Sequence, residues 1–155
     1  MIDQEELNRL ITENLKAVTG CEVVKANLAN APVPPYPYIS FSILRTTTRK
    51  GSYSIRSDGT HYMSATQVWS VTVQGKNDTE TQNLALKARD WLEESGRTVL
   101  NDSGIVVREV GDIVNRDTLL TINYEYRKGF DVTFALMNVM KTDPEVIEKA
   151  EIKEK

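Results

Sequence analysis

Apolar residues recur near the start of the chain at helical spacing: Leu7, Leu10, Ile11, Leu15 and Val18 form one stripe and predict a helix over residues 4–18. Asp3 stands where a capping side chain is wanted, with Glu6 three residues on, and Gly20 suits the left-handed residue that ends a helix. A short strand is expected from about Glu22 to Leu28. The proline-rich run from Asn30 to Pro37 then favours an extended edge or loop, because proline fixes φ and offers no donor. From Tyr38 to Leu44 the period becomes two, with Ile39, Phe41 and Ile43 on one side and Ser40 and Ser42 on the other, as in a half-buried strand. Trp69, Val71 and Val73 alternate with Ser70, Thr72 and Gln74 in the same way across 67–74.

Asp78 is a possible cap for a second helix running to about Ser95, with Leu84, Ala88, Trp91 and Leu92 as its buried stripe and Gly96 as its end. A broken strand follows over 105–110 and 113–114, with Gly111 as a bulge candidate. The last strand runs from about Ile122 to Met140, where Gly129 marks a possible bend. Strands cluster and helices are few, so the pattern predicts an α+β fold: a mainly antiparallel sheet with two helices packed on one face. The chain reads as a single domain of 155 residues, with a core over 1–140 and a charged tail over 141–155 that is open to either a helix or an edge strand.

The segment from Arg45 to Ala65 breaks the pattern. It is polar, rich in serine and threonine, and carries Arg45, Arg49, Lys50 and Arg56 against Asp58. A structureless loop of about twenty residues is unusual inside a compact domain. Ser52–Ile55 and Thr60–Met63 are able to pair across Asp58-Gly59, a strong hairpin signal, so a projecting hairpin or loop is expected at about 45–65. Its four cations are either a solvated surface or a contact arm for an acidic neighbour; nucleic-acid contact is the minor option, with only Tyr53 and Tyr62 available for stacking.

Composition narrows the function classes. A net charge of −3 argues against a general nucleic-acid or membrane-surface binder, and no apolar run approaches the length of a membrane span. The acidic start MIDQEELNRL is unlike a secretion signal, so a cytoplasmic protein is expected. With one cysteine and one histidine, Cys21 and His61, a zinc site and an intrachain disulfide are both out of reach. His61 lies in the polar segment with no neighbour to orient it, and Cys21 reads as a small buried apolar residue. Glu93-Glu94 are adjacent on a helix and point different ways, while Glu22-x-x-Lys25 is a spacing common by chance. Phosphate-binding glycine loops are absent from the sequence. No enzyme, no metal and no cofactor are therefore expected, and Trp69 and Trp91 are assigned to the core.

Three segments carry a resemblance: Pro35-Tyr36-Pro37-Tyr38-Ile39-Ser40-Phe41, the run from Gln67 to Gln74 followed by a capped helix holding Trp91-Leu92, and the run from Tyr124 to Val132. Together these resemble the neck or tail-terminator proteins of tailed bacteriophages, over about residues 30–140. The resemblance implies a structural virion subunit, assembled in the host cytoplasm, that forms a hexameric ring. Such a ring caps the tail tube and joins it to the head-side connector, with the sheath as a further candidate partner. DNA would only pass through the lumen, and no membrane is involved. In that setting Arg45, Arg49, Lys50 and Arg56 are the expected subunit or partner contacts. A head-completion or stopper protein of the same neck is the neighbouring alternative; a small-ligand or regulatory module is one from another class.

Overall fold

The computed structural model describes residues 3–26, 32–55, 60–120 and 123–141, with side chains covered everywhere in these except 49–55, 60–63 and 137–141. Helix α1 spans Gln4–Thr19, opened by Asp3, whose carboxylate accepts the Glu6 N–H at 3.2 Å, and closed by Gly20 at φ 75°. Glu6 does not return the capping bond; its carboxylate holds Arg9 one turn on. Leu7, Ile11 and Leu15 form its buried face.

Strand β1 (Glu22–Lys25) is shorter than the sequence pattern implied and pairs in parallel with the start of β2 (Tyr38–Ile55). All other pairings are antiparallel: β2 with β3 (Thr60–Gly75), β3 with β7 (Tyr124–Lys141), and β7 with β4 (Ile105–Val110). Two short strands, β5 (Val114–Asn115) and β6 (Thr118–Leu119), also pair with β7. The sheet order is therefore β1-β2-β3-β7-β4, an α+β architecture with a mostly antiparallel sheet.

The polar segment at 45–65 is built as paired strands. Ser54 sits opposite Tyr62 and Ile55 opposite His61, so β2 and β3 run through the stretch instead of leaving a loop; Asp58-Gly59 lies outside the described residues. An extra residue enters β2 at Leu44, and the register shifts again between Thr48 and Tyr53. β7 follows β3 to the end, with Lys141 opposite Thr60. The projection is accordingly three strands wide, extending beyond Ala65 and Leu136, among the described residues the outermost buried ones of β3 and β7.

Helix α2 (Asp78–Glu93) is capped by Asn77, one residue earlier than expected: the Asn77 side chain accepts the Glu80 N–H at 2.9 Å. Asp78 instead faces Lys128. A third helix, α3 (Ser95–Asp102), follows at once. Gly96 lies inside it, buried against Trp91, where an added Cβ would come within 2.8 Å of the indole and closer still to the Trp91 carbonyl. This glycine serves a close approach, which in sequence looks the same as a helix stop. The bulge in β4 falls between Val107 and Glu109 and not at Gly111, whose N–H continues the pairing to the Asp131 carbonyl at 2.7 Å.

Leu7, Ile11 and Leu15 pack with the α2 stripe over Ile39, Phe41, Trp69, Val71 and Val73 and their neighbours on β7 and β4. Both tryptophans are in this core, Trp69 fully enclosed and Trp91 nearly so. Arginines close the outer strand β4: Arg97 donates to the Val107 carbonyl, and Arg89 to those of Val110 and Gly111. Capping its carbonyls in this way blunts a strand edge that would otherwise invite pairing with another chain.

Candidate assembly surfaces

Three of the four cations expected to form a contact surface have a described backbone position on β2. Arg45 is exposed and lies opposite Val68 on β3. Arg49 and Lys50 belong to the projecting part of β2, within the stretch of shifted register. Arg56 and the side chains of Arg49 and Lys50 lie outside the described residues.

A second surface was not visible in the sequence. Side chains alternate along a strand, so with Trp69, Val71 and Val73 turned to the helices, Ser70, Thr72 and Gln74 face the other way, together with Ser40 and Ser42. No described helix covers that face. Arg116 lies across it. Its backbone N–H donates to the Arg127 carbonyl at 2.8 Å, and its Nη1 donates to the Ser70 and Thr72 hydroxyls, both at 2.8 Å. Nη2 reaches Asp131 at 3.2 Å. Gly129 is the floor of this arrangement: a Cβ there would lie 2.8 Å from the guanidinium carbon. Its smoothness serves the arginine, whereas the sequence offered only a bend.

Arg127 borders the same face. Its Nε lies 2.9 Å from Glu125 Oε1 but is poorly aligned for a hydrogen bond, and its terminal N–H groups have no partner among the described residues. Glu125 is buried and also accepts the Tyr36 hydroxyl, which pushes the phenol up to about 12. Between the arginines lies a cavity of about 150 Å³ floored by serine and threonine hydroxyls. It adjoins a second of about 200 Å³ beneath Pro32, Val33 and Pro34, with Ser40, Gln74 and Arg127 common to both. The Gln74 amide and Ser40 hydroxyl, 2.7 Å apart, tie the floor together.

Lys128 points to the opposite, helix-bearing face, as alternation requires. Only 7% exposed, its ammonium lies 3.0 Å from both Asp117 and Asp78. Burial pushes the Asp117 carboxyl up, but the Arg127 N–H, the Lys128 ammonium and the Tyr124 hydroxyl outweigh it and hold the carboxyl below its ordinary value. For Lys128, burial works against the charge, and the two carboxylates more than offset it, so its pKa is raised. Nearby, Leu119, Leu120 and Tyr124 expose an apolar tip at the β6–β7 connection.

The other sequence candidates resolve simply. Cys21 is buried, and burial raises its thiol. Glu93 pairs with Arg89 of α2 and Arg97 of α3 while Glu94 is exposed, so the two carboxylates do not converge. His61 sits in the projection, opposite Ile55 and Met140. Among the described residues, no three histidine, cysteine or carboxylate side chains gather as a metal site, and no helix is long and apolar enough to cross a membrane.

An α+β protein whose distinctive features are a projecting strand arm and a cationic open sheet face is organised around surfaces. The sequence profile of the phage neck terminator protein family matches residues 5–155, and the chain belongs to that family. Comparison with curated individual proteins finds no match. Membership makes this a structural protein of the phage neck, located in the virion and associating there with other head or tail proteins.

Proposed function

We propose that the protein is the tail-terminator subunit itself, forming a hexameric ring that caps the tail tube and meets the head-side connector. The chain would act as one unit, assembled in the host cytoplasm, without catalysing a reaction. The observation that carries this reading is the family match along residues 5–155. The projecting arm supports it, since a paired extension beyond the core gives a subunit reach toward its neighbour. Arg45, Arg49, Lys50 and Arg56 are the proposed contacts, docking against carboxylates of an adjoining subunit or tube protein and setting register more than affinity.

Light scattering coupled to size exclusion tests this, on the protein alone and with tube protein. The parent should give a discrete ring, and its assembly should weaken with salt, because exposed pairs are screened over about 8–10 Å at physiological ionic strength. Reversing Arg49, Lys50 and Arg56 to glutamate should abolish or strongly reduce assembly while changing monomer stability by no more than about 0.5 kcal/mol, as surface substitutions do. A triple variant that assembles like the parent at every salt concentration would remove the arm from the interface. A parent that stays monomeric with and without tube protein would remove the ring.

A further inference from the structure

We propose that the helix-free sheet face at Arg116 and Arg127 is a docking groove for a carboxylate-bearing segment of a partner protein, distinct from the projecting arm. The proposal rests on the reading of the chain as a neck protein that joins other proteins.

The argument begins with charge. The groove sets two guanidinium groups over neutral hydroxyls, each beside one carboxylate of β7, Asp131 for Arg116 and Glu125 for Arg127. Both arginines keep donors to spare. Arg116 spends Nη1 on Ser70 and Thr72 and part of Nη2 on Asp131, and the terminal donors of Arg127 are unspent among the described residues. Arg116 is also locked in place: the Gly129 floor, two hydroxyl acceptors and its own backbone bond to Arg127 fix the planar group before any ligand arrives. A pre-positioned fork suits the paired oxygens of a carboxylate, and pre-positioning lowers the ordering cost of binding.

Shape points to a polypeptide. The two adjoining cavities, about 150 and 200 Å³, form a shallow trough suited to successive side chains. Down the same face Arg45 stands opposite Val68, four residues along β3 from Thr72 and so roughly 14 Å away, which continues the cationic line. Duplex DNA is the poorer fit. Asp131, half exposed at the rim, opposes any anion; a single side-chain carboxylate can reach the arginines past it, whereas the continuous phosphates of a duplex would run against it.

Amide NMR titration of the full-length protein provides the test, using acetylated tetraglutamate peptide, inorganic phosphate and a short DNA duplex as separate probes. The peptide should shift the amides of Ser42, Ser70, Thr72 and Arg127, and its affinity should fall at least tenfold in Arg116→Gln and Arg127→Gln. Loss of Arg127 also strips a partner from buried Glu125, so Ser42→Glu is the control for misfolding. It places a carboxylate in the groove and should block the peptide while leaving the spectrum of the core intact. Added to neck-deficient tails with tube protein, Ser42→Glu should retain ring mass and lose joining to heads, a pattern different from failure of the ring itself. Shifts confined to the arm, or equal peptide affinity in all three variants, would overturn the groove. Phosphate matching the peptide in sites and affinity would reduce it to a simple anion site, and preferential duplex binding lost in Arg116→Gln would make it a nucleic-acid surface; either result overturns the proposal.

Discussion

Replacing Trp69 with alanine is expected to lower the thermal midpoint by roughly 6–20 °C. The indole is fully enclosed. It stacks on Phe41 with ring centres 4.9 Å apart and meets the edge of Phe134 at 5.6 Å. Its Nε1 donates at 2.9 Å to the amide of buried Gln67, which in turn donates to Gln4 of α1 at 2.6 Å. Truncation therefore opens a cavity, removes two aromatic contacts and leaves the buried Gln67 acceptor with only the longer bond from Gln4, at 3.4 Å. Large aromatic truncations cost about 3–5 kcal/mol, and each kcal/mol lowers the midpoint of a domain this size by about 2–4 °C. Circular dichroism melts of the parent, Trp69→Ala and Trp69→Phe separate the contributions: phenylalanine keeps the stacking and should recover more than half of the loss. A loss below about 1 kcal/mol for alanine would mean that the core does not close around this residue.

Lys128→Met should destabilise comparably at neutral pH, by about 3–5 kcal/mol, because it leaves Asp117 charged and enclosed without its cation. The pH dependence distinguishes this from simple packing loss. The Asp117 pKa is depressed in the folded parent, so its contribution is present above the ordinary aspartate value and is lost as pH falls through the folded value. The Lys128 pKa is raised, so its contribution is present below the ordinary lysine value and is lost as pH rises through the folded one. In the methionine variant Asp117 is free to take up a proton in mild acid and escape the charged state. The deficit measured by urea unfolding should therefore be largest near pH 7 and shrink below about pH 5. A deficit unchanged between pH 7 and pH 4 would assign the loss to packing alone.

Much of this fold is written in local patterns. The stripes of α1 and α2 and the alternation of Tyr38–Leu44 and Gln67–Gln74 gave the core, because each depends only on spacing within one element. The Asp58-Gly59 signal was enough to expect pairing around it, though not the third strand beside it, which depends on how far β7 follows β3. Helix α3 has no clear local signature because Ser95–Asp102 is short and polar and carries, at its second position, a glycine that looks like punctuation. The open-face arginines were illegible for a different reason. Arg116 meets Ser70, Thr72 and Gly129 only through the register that sets Thr72 opposite Gly129, and register is a property of pairs of strands. One sign was available: adjacent Arg127 and Lys128 on one strand must point to opposite faces, so each needs its own polar environment.

The three-stranded arm carries a consequence for local opening. Among the described residues β3 is laddered to β7 from Thr60 to Gly75 and to β2 over His61–Met63 and Ala65–Gln74, whereas in the arm β2 and β7 are each laddered to β3 alone. Amides along β3 donate alternately to β2 and to β7, so the paired stretch is bonded on one side or the other, whereas on either flank every second amide faces away from β3 and lacks a strand partner among the described residues. Hydrogen–deuterium exchange in the isolated subunit should thus be slowest along the middle strand. It should be fastest on β2 between Thr48 and Tyr53, where the ladder is already out of step, so the arm would loosen from that flank while its central strand keeps its length and direction.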